Sequence, residues 1–256
     1  TIEPTPPPAN FVFVQGGTFN NGTSDVTISS FYIDKYELTQ SGYQAVMGEN
    51  PSHFSGNLDR PVEQVSWFNA IEYCNRRSIQ EGLTPCYSYS SYGTNPANWP
   101  GGWNSTSSNH TNVSCNWTAN GYRLPTEMEW QFAARGGNQT HNYSYSGSND
   151  LNDVGWYWDN WGSANNSTHS VGALAANELG TFDMSGNVFE WVWDIYGSYP
   201  SGSQTNPTGA NSGSYRVVRG GSWYNYADGC TVSYRVVNSA TGSYYFLGFR
   251  CVRVSP

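Results

Sequence analysis

The chain has 256 residues and a formal charge of −8, with 12% charged residues and one lysine, Lys35. It has no basic run to meet a phosphate backbone, which excludes nucleic acid as a partner class, and no stretch nears the ~20 apolar residues of a membrane-spanning helix. Tyr and Trp are over-used, at 19 and 11, among Asn, Ser, Thr and Gly, the mixture that recognition surfaces use because rings give rigid area and small polar groups give adaptable hydrogen bonds.

Residues 1–10, TIEPTPPPAN, read as an extended polyproline-type spacer. A start at Thr1, with neither Met nor an apolar signal core, is expected of a processed chain. From 11 to 256 no linker and no fixed-period repeat interrupts the sequence, so one domain is expected there. FVFVQGGTF, 11–19, is a strand and a turn, and FYIDKYEL, 31–38, alternates as a second strand. Thr39 caps a short helix through Met47. Ser66 caps a longer one to Gln80, with Trp67, Ala70, Ile71 and Cys74 at helical spacing and Gly82 as its stop. The turn-rich stretch that follows carries several Trp and Tyr and is expected to be functional or built of short hairpins.

PTEMEWQFAARGG, 125–137, has the clearest helix signal. Thr126 and Glu129 make a capping box, Met128, Phe132 and Ala133 face inward, and Gly136 ends the helix. Residues 138–177 read as irregular with buried aromatics, and GTFDMSGNVFEWVWDIY, 180–196, as a glycine turn feeding an aromatic strand. A Gly, Ser, Asn and Pro-rich connector, 197–214, leads to the C-terminal unit.

Five cysteines, Cys74, Cys86, Cys115, Cys230 and Cys251, leave at least one unpaired. Cys86 and Cys115 bracket a loop-like insertion and are the best pair for a bridge, with small buried hydrophobes as the alternative. His53, His110, His141 and His169 form no H-x-H or H-x₃-H pair and read as exposed loop residues rather than metal ligands. Glu127 and Glu129 lie in a helix's opening turn, where carboxylates favour the dipole. Asp183 and Glu190 flank a glycine turn whose carbonyls could join them around calcium.

The C-terminal unit consists of two apolar frames, YRVVRGGSW and LGFRCVRVSP, around a middle from Tyr224 to Phe246. That middle has no hydrophobic period and no Lys, Glu, Gln, Met or Trp. It reads as a binding surface on a rigid mount.

In chain order, GGTF, FYIDKYELTQSGY, PVEQVSWFNAIEYCN, GYRLPTEMEWQFAARGG, TFDMSGNVFEWVWD, RVVRGGSW and GFRCVR closely resemble the motifs of the formylglycine-generating-enzyme/sulfatase-modifying-factor family, over residues 11–254. The resemblance implies an α+β fold, a variant of the C-type lectin fold: short twisted antiparallel strands, a few helices, long loops, and termini that meet in one sheet. It also implies a calcium-type site at Asp183, Gly186, Val188 and Glu190, with no other cofactor required. Enzymatic members hold copper(I) with two cysteines after RGGS. Cys230 falls on the second, and Asn225 stands at the first.

The sequence is more similar to non-enzymatic relatives, the variable proteins of diversity-generating retroelements. Mutation at the adenines of an AAY codon never yields the five residue types missing from the middle. This likeness implies a non-catalytic, ligand-binding lipoprotein of the bacterial cell surface, attached to a membrane only through a lipid anchor outside this sequence. Its ligand would be a protein or other surface macromolecule. The implied diversified positions are Tyr224, Asn225, Tyr226, Asp228, Gly229, Tyr234, Val236, Val237, Asn238, Gly242, Tyr244, Tyr245 and Phe246, in a variable region of about 223–247. Ala227, Val232, Arg235 and Leu247 would hold the backbone. The alternatives are an oxidase that has lost or altered its copper site, and a fixed adhesin.

Overall fold

A computed structural model describes residues 9–161 and 166–255. Most of the 1–10 spacer therefore lies outside the described residues. The apolar run at 11–19 makes two strands rather than one: β1 (Phe11–Val14) and β2 (Gly17–Asn20) part at Gly16, where an added Cβ would lie 2.5 Å from the Ile28 carbonyl oxygen. β3 (Asp25–Ile28), which the sequence did not suggest, pairs with β2, and β4 (Phe31–Asp34) pairs with β1. β4 stops at Asp34, four residues short of the expected strand.

The helices follow their caps. α1 (Gln40–Met47) starts on Thr39, whose hydroxyl accepts the Gly42 N–H, and ends at Gly48 with φ 82°. α2 (Trp67–Gln80) starts on Ser66, and its capping box uses Asn69. β5 (Tyr87–Tyr89) and β6 (Val113–Cys115) make a hairpin across the turn-rich stretch. α3 (Glu127–Ala134) is capped by Thr126 and Glu129 as expected, and one helical turn, α4 (Leu151–Val154), follows. The remaining strands are β7 (Phe189–Ile195), β8 (Gln204–Thr205), β9 (Arg216–Arg219), β10 (Arg235–Asn238), β11 (Leu247–Gly248) and β12 (Val252–Val254).

Four small sheets result, ordered β1-β4-β12, β10-β9-β7-β11, β2-β3-β8 and β5-β6. The first joins the N- and C-terminal strands, Phe31 to Ile33 pairing with Val252 to Val254. Pairing is antiparallel except at β11 with β7 and β8 with β3. The core lies in two main parts. One packs α2, through Trp67, Phe68, Ile71 and Tyr73, against Phe249 and Trp191; the other packs α3, through Trp130 and Phe132, against Val26, Ile33 and Val217. The four-stranded sheet that carries the C-terminal segment runs between them, with Val218 of β9 in the first part and its neighbour Val217 in the second.

The cysteines correct one expectation. Tyr87, not Cys86, stands opposite Cys115 in the hairpin, so the two thiols are one residue out of register and no bridge joins them. Cys74 and Cys251 are the two that meet, their sulfurs 3.8 Å apart in the core.

Candidate ligand-binding face

β9 leads the chain into Gly220 and Gly221, at φ 94° and 75°. A Cβ on Gly221 would sit 2.5 Å from the Gly229 carbonyl oxygen and 2.6 Å from the Cys230 sulfur, so only glycine lets the chain pass beneath the segment it introduces. Trp223 is buried just beyond, its backbone N–H on the Asn187 carbonyl at 2.8 Å and its indole N–H on that of Tyr245 at 3.2 Å. The chain then makes a 3₁₀ turn at Ala227–Cys230, runs along β10 at the sheet edge, and returns through β11.

Of the thirteen positions named from the sequence, only Gly229 is buried; Asn225 fills the space where its Cβ would go. Tyr224, Tyr226, Asp228, Tyr234, Tyr244 and Tyr245 are exposed, Tyr226 the most at 62%. Asn225, Val236, Val237, Asn238, Gly242 and Phe246 are half-buried. Tyr224, Tyr244, Tyr245 and Phe246 come together: Tyr244 stacks on Phe246 at 5.2 Å, and Tyr224 meets Tyr245 edge-on at 6.2 Å. Tyr234 and β10 lie apart from these rings, and Val236 packs on the main core.

The segment's backbone is held mostly through its carbonyls. Those of Asn225, Tyr244 and Phe246 accept the backbone N–H groups of Trp158, Gln64 and Phe189 at 2.8, 2.9 and 2.8 Å. The fully buried Arg219 donates to the carbonyls of Val232 and Tyr234. Among the four residues expected to hold the backbone, Val232 and Leu247 are buried and Ala227 packs on a satellite cluster. Arg235 grips Glu127 with two bonds of 2.8 and 2.6 Å.

Glu127 does more than favour a helix dipole. It accepts from Arg235 and from the Tyr199 hydroxyl, with Arg219 at 3.5 Å, and so ties α3 to the C-terminal segment. The partner is 108 residues away in sequence, so no local pattern announces it.

Sequence reasoning missed half of the face. Trp161 stacks on Trp223 at 5.1 Å, and Trp158 meets Tyr224 and Tyr226 at 5.4 and 5.7 Å. Phe54 lies edge-on to Trp223 at 5.4 Å, with His53 at 6.0 Å from Tyr245. The signal was WYWDNW, 156–161, three tryptophans between acidic and amide residues in a stretch with no helical or strand period.

At the implied calcium position Asp183 takes positive φ and accepts the Gly172 N–H at 2.7 Å. Glu190 is fully buried, and both its oxygens accept from Arg250 at 2.7 Å, one also from the Trp130 indole. Among the described residues no three His, Cys, Asp or Glu side chains are placed to hold a metal, so the carbonyls of Gly186 and Val188 would have to complete the site. The charge fits a cation. Glu37, Asp183 and Glu190 are buried near one guanidinium, and burial with mutual repulsion pushes Glu37 well above the carboxylate range and Asp183 up to about 6.

Cys230 is buried, which pushes its thiol up to about 12, and it lies in the satellite cluster of Leu151, Val154 and Tyr157. The other four cysteines belong to the main core, so no second thiol stands beside it. His53 and His141 are exposed, as expected. His110 is instead buried against Arg216, and burial followed by that charge holds it down at about 4; His169 is half-buried, stacked on Trp156 at 3.8 Å.

Residues 2–255 match the Sulfatase-modifying factor enzyme 1-like domain family. The chain belongs to this family. It is 41% identical to a Paenibacillus barcinonensis protein named chaperone protein LppX, over 95% of this chain and 89% of that one. It is 27% identical to the formylglycine-generating enzyme of Bos taurus, over 96% of this chain and 75% of the enzyme. The solved structure of Treponema denticola variable protein 1 superposes with a TM-score of 0.84 at 34% identity, covering 96% of this chain and 95% of that one. The α+β, C-type-lectin-like architecture of this family is therefore the architecture of the chain.

Proposed function

We propose that this is a non-catalytic, ligand-binding protein of the bacterial cell surface whose segment from Trp223 to Leu247 is diversified by a retroelement. One observation carries the reading: the segment is fixed by its main chain, while twelve of its thirteen named positions reach the surface. Such a segment tolerates replacement of its side chains without losing its shape. Tyrosine rings supply rigid contact area there, and Asn225 and Asp228 supply directional hydrogen bonds. The likeness to a protein titled a variable protein supports this reading. The name of LppX, a chaperone, favours a protein as the ligand.

An oxidase of the formylglycine-generating type is the weaker reading, because Cys230 is a lone buried thiol and Asn225 offers a hard amide where copper(I) wants sulfur. Calcium at Asp183, with the carbonyls of Gly186 and Val188 and with Glu190 shared with Arg250, belongs to the proposal as a structural ion.

The decisive experiment is to read the gene segment for residues 223–247 from independent isolates. Changes confined to the thirteen positions support the proposal. An unchanging segment overturns it in favour of a fixed adhesin.

A further inference from the structure

One wall of the aromatic face lies outside the 223–247 segment. Trp158 and Trp161 stack on each other at 4.6 Å, and both are half-buried. Their setting is made by fixed groups. Trp158 N–H donates to the Asn225 carbonyl, and the Asn160 side chain accepts from Tyr157 N–H and donates to the Gly155 carbonyl, each at 2.8 Å. The wall therefore stays in place whatever side chains stand at 224 and 226.

Its charge has one sign. Asp159 beside Trp158 and Asp228 two residues after Tyr226 are exposed, and among the described residues neither carboxylate is hydrogen-bonded or ion-paired. The two acids flank the same satellite cluster. Burial and then Asp159 raise Tyr157, and Asp228 adds to the burial that raises Tyr145. Cations are used elsewhere: most of the Lys and Arg side chains stand over rings of the scaffold, as Arg216 does at 3.8 Å from Trp67. No Lys or Arg among the described residues stands over Trp158, Trp161, Tyr224 or Tyr226.

We propose that Trp158, Trp161 and Asp159 form a fixed half-site for an arginine or lysine side chain of a partner protein, completed in this copy by Tyr224, Tyr226 and Asp228. Ring faces attract a cation, guanidinium also stacks on them, and two unpaired carboxylates close by strengthen the attraction. The inference rests on the binding role proposed above and adds the partner's chemistry. Because the half-site lies outside the diversified segment, every copy would share the preference for a basic partner.

The test is a tryptophan-fluorescence titration of the full chain with a Gly-Arg repeat peptide, against Gly-Glu and Gly-Ser repeats of equal length. Saturable binding of Gly-Arg alone is expected. Trp158→Ala should weaken it about tenfold. Asp159→Asn with Asp228→Asn, at exposed positions that do not affect folding, should weaken it about fivefold. Neutralising two exposed acids off the face, Asp25→Asn with Glu81→Gln, should change it less than about twofold. Absent Gly-Arg binding, equal Gly-Ser binding, or an equal loss in the off-face control each overturns the inference. An invariant gene segment with Gly-Arg binding intact would remove only the diversification, and a varying segment without that binding only the basic partner.

Discussion

Two neighbouring regions are held by opposite means. Around Arg250 a buried side chain does the fixing: its guanidinium spans Glu190 and the Phe182 and Asp34 carbonyls, and Arg250 and Glu190 are fully buried. In the segment from Tyr224 to Phe246 the main chain does the fixing, and only Gly229, Cys230, Val232 and Ala240 are buried. β7 belongs to both, since Glu190 reaches down to Arg250 while Phe189 donates to the Phe246 carbonyl. One strand thus separates a buried ion pair from a segment that is seated by its main chain.

The contrast is sharpest in stability. Arg250→Ala leaves Glu190 buried without its charge partner, with only the Trp130 indole N–H still bonded to it, and should cost about 3–5 kcal/mol in denaturant unfolding. A cost below about 1 kcal/mol would mean that the scaffold is not the rigid half. The second effect depends on pH. Burial raises Asp34 to about 6 despite the Arg77 charge 3.9 Å away. A carboxyl raised on folding adds stability that is complete below about 4 and lost as pH rises through about 6. Asp34→Asn should therefore be near neutral at pH 4 and stabilising by on the order of 2 kcal/mol at pH 7, read from unfolding midpoints at the two pH values.

Calcium should act on the scaffold too. At ten times its Kd it should stabilise the chain by about 1.4 kcal/mol, and the gain should vanish with a chelator or with Asp183→Ala. The smallest effects belong to the face. Tyr224→Ala, Tyr226→Ala and Tyr244→Ala should each shift stability by no more than about 0.5 kcal/mol. A loss of 2 kcal/mol from any of them would show that these rings hold the fold rather than cover it.

The sequence showed the parts with local causes. Thr39, Ser66 and Thr126 marked the helix starts because a cap bonds within three residues. The frames around the segment were visible as apolar runs with glycine pairs. What stayed hidden depends on long-range partners: Trp158 and Trp161 reach the face from about sixty residues upstream, Glu127 finds Arg235 across 108, and β3 pairs with β8 far along the chain. The Cys86 and Cys115 expectation failed because spacing in sequence says nothing of strand register.

The direction of the anchoring bonds has a further consequence. At Asn225, Tyr234, Tyr244 and Phe246 the segment offers carbonyl oxygens to donors in the scaffold. A carbonyl is the one backbone group that all twenty amino acids possess, proline included. Of all the residues an AAY codon can mutate into, proline is the one that would be lethal to a segment anchored through its N–H groups. Here, at Tyr244 and Phe246, even that residue keeps the acceptor through which the chain is seated.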